Sequence, residues 1–367
     1  MNAFSIRTAT GAFAFCAIGG LSALPAMMAQ AQSASTADAA YEVTDADRAA
    51  AQGAVRVTPH ALPVRPSEGQ AARKIPVRAG HRVGAAAAPA AGATSSSAQL
   101  RYPADLSFQG GPTIQAAQHH AIYLRPNGHC PVSSCWGDPE RFLGDLSRSD
   151  FIHVTDQYTG RTDSNRYPVG KRAFASFKPP FNFSPNAVPF TDNDMLALIH
   201  AVAAKTGNTG YGHLYHVFLP QGTDECFDNT YSVCYSPDNP STFFFCAYHG
   251  YADFNDIGHV LYSVEPYQNL QGCQVAPNTP NGELVDSTND VLSHETFEAI
   301  TDPDLDAWWN NGGNQIEGGA EIGDECVFLL FIGNNVYSDP GIFSVGERNY
   351  AAQPEYDNAS HACAMAP

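Results

Sequence analysis

Apolar side chains are sparse before residue 102 and recur with clear periods after it. Residues 121–124 form a short apolar run behind His119-His120, bounded by Pro126-Asn127-Gly128, and read as a strand. Residues 139–147 place Phe142, Leu143 and Leu146 at helical spacing, with Pro139 in a first-turn position. Residues 151–155 are a β-rich pentad, and 161–189 read as a long aromatic loop. The clearest ordinary helix is 191–206. Thr191 caps it, Asp192 and Asp194 follow, Met195, Leu196, Leu198, Ile199 and Val202 form its buried side, and Gly207 ends it. Strands are predicted over 213–219, 242–248 and 258–264. A last helix follows. Ser287 or Thr288 caps it, Val291, Leu292, Thr296, Ala299 and Ile300 give it an apolar side, and Pro303 pushes Asp302 out of helical geometry. Residues 327–332 and 343–345 read as further strands. The order predicts an α/β (α+β) fold: one large domain, 102–367, with a mixed sheet carrying the last helix.

Composition divides the chain further. Residues 1–31 read as a secretory signal peptide, with Arg7 as its only charge, a short apolar core, and Ala29-Gln30-Ala31 as cleavage site. Residues 32–101 are rich in Ala, Pro, Gly and Ser, with a low-complexity run at 84–98, and read as a disordered linker or propeptide. That segment has a net charge of +3, whereas 102–367 has −22. So acidic a domain excludes nucleic acid and anionic membrane as partners, and no stretch is long and apolar enough to span a bilayer. Nine cysteines become eight once Cys16 leaves with the signal peptide, an even number that suits an exported, disulfide-stapled protein. Sequence does not fix the pairing. Short loops suggest Cys130–Cys135 and Cys226–Cys234, which would leave Cys246–Cys273 and Cys326–Cys363.

The densest chemistry lies between residues 287 and 326. His294 and Glu298 are four apart and share a helix face, with Glu295 beside them. This is the H-E-x-x-H pattern of zinc peptidases with Glu in place of the second His, and Glu is an acceptable zinc ligand. Asp302 lies ~12 Å along the axis from His294, too far to share its ion. Glu321-Ile322-Gly323-Asp324-Glu325-Cys326 brings carboxylates back after a turn, so Asp324 or Glu321 is the expected third ligand. Glu295 is then expected to accept a proton from a metal-bound water, whose pKa zinc lowers to about 7. The competing reading is a surface helix with solvated acids. His249, at a strand end, is expected to line the cleft as a ligand or oxyanion partner, against a plain loop histidine. Asp302, Asp304 and Asp306 alternate as in a calcium loop, but the Gly and the twelfth-position Glu of an EF-hand are missing, which leaves an irregular calcium site. Zinc is therefore the expected cofactor and calcium the alternative. Trp308-Trp309 reads either as an aromatic platform for sugar or peptide or as packing against the helix.

Two resemblances follow. The element order resembles the upper subdomain of zincin metallopeptidases, in which a twisted sheet carries the active-site helix and an edge strand lines the cleft. Leu106-Ser107-Phe108-Gln109-Gly110-Gly111-Pro112, Phe245-Cys246-Ala247-Tyr248-His249-Gly250, Tyr262-Ser263-Val264 with Cys273, and Tyr356-Asp357-Asn358-Ala359-Ser360-His361-Ala362-Cys363 together resemble the Exordium, or phosphate-induced, family. Plant Exordium proteins are secreted to the cell wall and linked to growth. Their counterpart of the His294 helix lacks H-E-x-x-E, so this chain resembles a bacterial branch that keeps the acidic site. The expectation is a secreted metal-dependent hydrolase, metallopeptidase-like, acting on a peptide or cell-wall-associated substrate. The alternative is a non-catalytic Exordium-type binding or signalling protein.

Overall fold

Seven strands form one mixed sheet. In chain order they are β1 (Ala40–Glu42), β2 (His60–Pro63), β3 (Gln118–Leu124), β4 (Ala173–Ser176), β5 (His213–Phe218), β6 (Phe245–Phe254) and β7 (Gly258–Glu265). Across the sheet they lie β1-β4-β3-β5-β7-β6-β2. The first five in that order pair in parallel; β6 is antiparallel to β7 and to the edge strand β2. The computed structural model describes residues 40–64, 105–124, 131–160, 173–176, 189–227, 230–310, 320–327 and 340–367. The signal-peptide and low-complexity readings, Cys130 and residues 328–332 fall outside them.

A parallel sheet must be covered on both faces. One face takes α1 (Asp45–Gly53) and α3 (Asp192–Thr206), with Met195, Ile199 and Val202 packed on Tyr215, Val217 and Val264. Helix α3 starts and stops where its sequence says. Thr191 and Asp194 form a capping box, and Gly207 at φ 71° takes the left-handed position that ends it. The other face takes α2 (Pro139–Leu146), a 3-10 helix at Phe151–Gln157 and α4 (Glu283–Thr301), with Leu143, Phe151, Phe297 and Ile300 on Leu214, Phe218 and Leu261. Hairpin β8–β9 (Gly341–Val345, Arg348–Ala352) and hairpin β10–β11 (Glu355–Asp357, Ala362–Ala364) complete this layer.

Four expectations are corrected. Residues 40–64 are not linker: they supply β1, α1 and the edge strand β2, and the rest of that expected segment, 32–39 and 65–101, lies outside the described residues. Their alanines form a helix because Thr44 and Asp47 build a capping box at its start. The pentad 151–155 is a 3-10 helix; Ser149 Oγ accepts from the Ile152 N–H, and Phe151 lies 4.6 Å from the Phe297 ring. Residues 173–176, placed in a loop, are strand β4. Helix α4 begins at Glu283 after Gly282, a turn before Ser287, whose hydroxyl bonds back to the Glu283 carbonyl instead of capping.

Disulfides join Cys226–Cys234, Cys246–Cys273 and Cys326–Cys363. Cys135 is also disulfide-bonded. Among the described residues no helix is long and apolar enough to cross a membrane.

Candidate metal centre

Three separated segments converge beneath the sheet edge. The first is the β2/β6 pair, whose register sets His60 directly opposite His249, with ring centroids 6.2 Å apart. The second is α4, which contributes His294, Glu295 and Glu298. From Asp286 to Thr301 that helix is buried all round, including its acids. A solvated surface helix is thereby ruled out: the sheet covers one side and the C-terminal hairpins another. The third is the short segment after Ala320, which carries Glu321 and Asp324. It is held by Gln353, which donates to the Gly323 carbonyl at 2.7 Å, by Tyr356 N–H on the Ile322 carbonyl, and by the Cys326–Cys363 bridge.

Two groups of side chains have their ligand atoms within 4.8 Å of one another: His60, Glu298, Glu321 and Asp324, and His249, Glu295 and Glu298. Glu298 belongs to both. His60 Nδ1 lies 2.6 Å from Glu321 Oε2 and 3.4 Å from Asp324 Oδ2. His249 Nδ1 lies 3.4 Å from Glu295 Oε2 and 3.5 Å from Glu298 Oε2. His294 stands beside the groups, with Nε2 3.0 Å from Glu298 Oε1 and 4.0 Å from Asp324 Oδ1. Among the described residues, both Glu295 oxygens, both Glu321 oxygens, Glu298 Oε2, His249 Nδ1 and both His294 nitrogens are buried without a well-formed hydrogen bond. Leaving such groups unpaired costs several kcal/mol each, so this collection calls either for a cation at its middle or for protons on its acids.

The electrostatics agree. Burial pushes Glu295 and Glu321 well above the usual carboxylate range; the Glu298 charge adds to both, and that of Asp302 to Glu321. Burial also raises Glu265 to about 8, Asp302 to about 6, and Glu355 well above its ordinary value. Burial opposes ionisation of Glu298 too, but His294, His249 and His60 more than offset it and hold the acid well below the usual range. The same pairing works against the burial of His294 and raises it to about 9. Without metal the centre is thus a His294–Glu298 ion pair amid protonated acids. Loading a metal must displace those protons.

This gives a pH prediction for the metal-free protein. An acid whose folded pKa is raised binds more protons folded than unfolded, so its folded state loses stability as pH climbs past the unfolded value. Raised His294 acts in the same direction: its contribution is complete below its unfolded value and lost as pH rises through about 9. Within the centre only Glu298, with a depressed pKa, favours higher pH, and its effect is spent above the ordinary carboxylate range. Outside it, burial depresses His119, His120 and His216, which gain stability as pH rises toward the ordinary histidine value in the metal-free and loaded forms alike. The melting temperature of chelated protein should therefore fall relative to that of metal-loaded protein from pH 5 to pH 8. Calorimetry at both pH values tests it; parallel curves would contradict it.

Gly323 shows how closely the third segment is fitted. A Cβ there would lie 2.4 Å from His294 Nδ1 and 3.0 Å from Glu298 Oε1. Gly323→Ala should displace both side chains and lower metal affinity ~10–100-fold, the scale for disturbing a ligand's surroundings. Isothermal titration with zinc measures it; an unchanged affinity would mean that the His294 edge of the centre bears no metal.

The other expected sites fall as follows. His249 is a buried mid-strand residue rather than a loop histidine, with Nε2 3.3 Å from the Asp302 carbonyl. Asp302, Asp304 and Asp306 do not form a calcium loop: Asp302 Oδ1 accepts from the Ala307 N–H, Asp304 meets His259 Nε2 at 3.1 Å and accepts from Tyr211, and Asp306 packs against Gly111. Their carboxylates serve three separate partners. Trp308 and Trp309 are strand residues paired with Ser107–Phe108, and Trp308 packs on the rings of Phe108 and Tyr158 rather than against the helix as expected. His60 is the residue missed from sequence. His60-Ala61-Leu62-Pro63 carries no alternation that marks a strand; pairing with β6 makes it one.

No protein-family model matches this sequence, and no curated protein matches it.

Proposed function

We propose that the protein is an exported metal-dependent hydrolase of zinc-peptidase type, acting on peptide or cell-wall-associated substrates. The observation that supports it is the convergence of His60, Glu298, Glu321 and Asp324 from three distant parts of the chain. Nitrogen and carboxylate donors of this kind suit zinc. His60 is the most exposed of the four, with 13% of its side chain accessible against 3% for Glu321, so the ion is reached from the edge strand β2. Zinc bound there would supply a water acidic enough to attack a carbonyl at neutral pH. Disulfides and the absence of a membrane-crossing helix among the described residues fit export. Chelation should cut hydrolysis of a mixed peptide library by at least ~100-fold, and zinc should restore it. Hydrolysis indifferent to chelator would sink the proposal.

One observation favours a second reading. Glu298 and Asp324 are at most 1% exposed, and structural metal sites are closed where catalytic ones keep an open position. On that reading the chain is a non-catalytic Exordium-type module stabilised by its ion. It predicts tight metal binding and a chelator-sensitive melting temperature with no turnover of any peptide.

A further inference from the structure

We infer that His249, Glu295 and Glu298 hold a second divalent cation, with Glu298 bridging it to the ion bound by His60, Glu321 and Asp324. The inference rests on the metal reading above and extends it from one ion to two. Three observations carry it.

The first is distance. Ligand atoms ~2.1 Å from a tetrahedral zinc lie ~3.4 Å from one another. His249 Nδ1 is 3.4 Å from Glu295 Oε2 and 3.5 Å from Glu298 Oε2. Those separations are long for hydrogen bonds and right for sharing an ion.

The second is the tautomer. His249 Nε2 faces the backbone carbonyl of Asp302 at 3.3 Å. A carbonyl only accepts, so with Nε2 donating to it Nδ1 is free to give its lone pair to an ion lying between the two acids. This is how metal-binding histidines are usually held from behind. The carbonyl stands there because α4 ends at Thr301 and Pro303 follows. His249 and Glu295 are fully buried, and neither Nδ1 nor either Glu295 oxygen has a well-formed hydrogen bond among the described residues.

The third is charge. Glu295, Glu298, Glu321 and Asp324 bring four carboxyl groups into a volume that excludes water. One divalent ion balances two of them as carboxylates and leaves the others to be held by protons. Two divalent ions balance all four once those protons are displaced. Glu298 is placed to bridge: Oε1 faces His294 and accepts from the Asp324 N–H at 3.2 Å, while Oε2 faces His249. Glu295 would then serve as a ligand, and the pair of ions would supply a water acidic enough to act as nucleophile, as two-metal hydrolases do.

The test uses the full purified chain, stripped with chelator and reloaded with zinc or manganese. Elemental analysis should give two ions per chain, and the manganese form should show an exchange-coupled paramagnetic resonance spectrum. Glu295→Gln and, separately, His249→Gln should each bind one ion and lose the coupling. One ion in the unaltered chain would overturn the inference and leave the mononuclear reading standing. No ion would overturn both. Two ions that survive both substitutions would place the second elsewhere and overturn the inference. If neither variant folds, stoichiometry and coupling in the unaltered chain still decide.

Discussion

Glu298→Gln should abolish metal binding while leaving the fold in place. Glu298 is the one side chain common to both ligand groups, so its charge serves every ion bound here. Gln keeps the size of the side chain, and its Oε1 can still accept from the Asp324 N–H. What it loses is the anion. Disturbing a residue behind a ligand already costs ~10–100-fold in metal affinity, so neutralising the shared ligand should exceed ~100-fold and take any hydrolysis with it. The metal-free variant should melt lower than the metal-free parent, because the substitution leaves the buried His294 without the anion it pairs with. The deciding difference appears on adding zinc. The parent gains RT ln(1 + [L]/Kd), ~2.7 kcal/mol at a hundredfold excess over Kd, and the variant gains nothing. Equal zinc-dependent shifts in the two proteins would show that the ion does not sit on Glu298.

Removing the Cys326–Cys363 bridge should cost more stability than removing either of the other two described bridges, which close 8 and 27 residues. The bridge closes 37 residues of chain. A loop of that size corresponds to ~4 kcal/mol in the chain-entropy account. At ~2–4 °C per kcal/mol, the Cys326→Ser/Cys363→Ser double variant should melt ~8–16 °C lower. A second effect comes with it. The bridge ties the segment bearing Glu321 and Asp324 to the C-terminal hairpin, so zinc affinity should fall together with stability. Calorimetry and zinc titration on the same sample separate the two. A drop in melting temperature with unchanged affinity would mean that Gln353 and Tyr356 hold the segment without help.

The sequence was most informative where local chemistry decides structure. Thr191, Asp194 and Gly207 mark the ends of α3 by capping alone, and His294, Glu295 and Glu298 could be set on one helix from spacing. The three disulfides described match the loop-length suggestion and the remainder it left. Local chemistry is silent where pairing decides. Nothing in His60-Ala61-Leu62-Pro63 distinguishes an edge strand from a linker until β6 lies beside it and places His60 across from His249. Residues 173–176 are likewise a strand only because β1 and β3 flank them. From sequence, helix α4 fits a metal-binding face and a surface helix with solvated acids alike. Its polarity is the signature of a buried site, which only the covering hairpins reveal. Asp302 and its alternating partners resembled a calcium loop in one dimension, yet the turn at Leu305, with φ 61°, sends them to different neighbours.

The most direct measurement is an anomalous difference map collected at the zinc edge from crystals of zinc-loaded protein. The account predicts strong density within coordinating distance, ~2.0–2.2 Å, of a Glu298 carboxylate oxygen, flanked by His60, Glu321 and Asp324, with a second peak against His249 and Glu295. A map with no peak near Glu298, from protein shown to be saturated with zinc in solution, would contradict it.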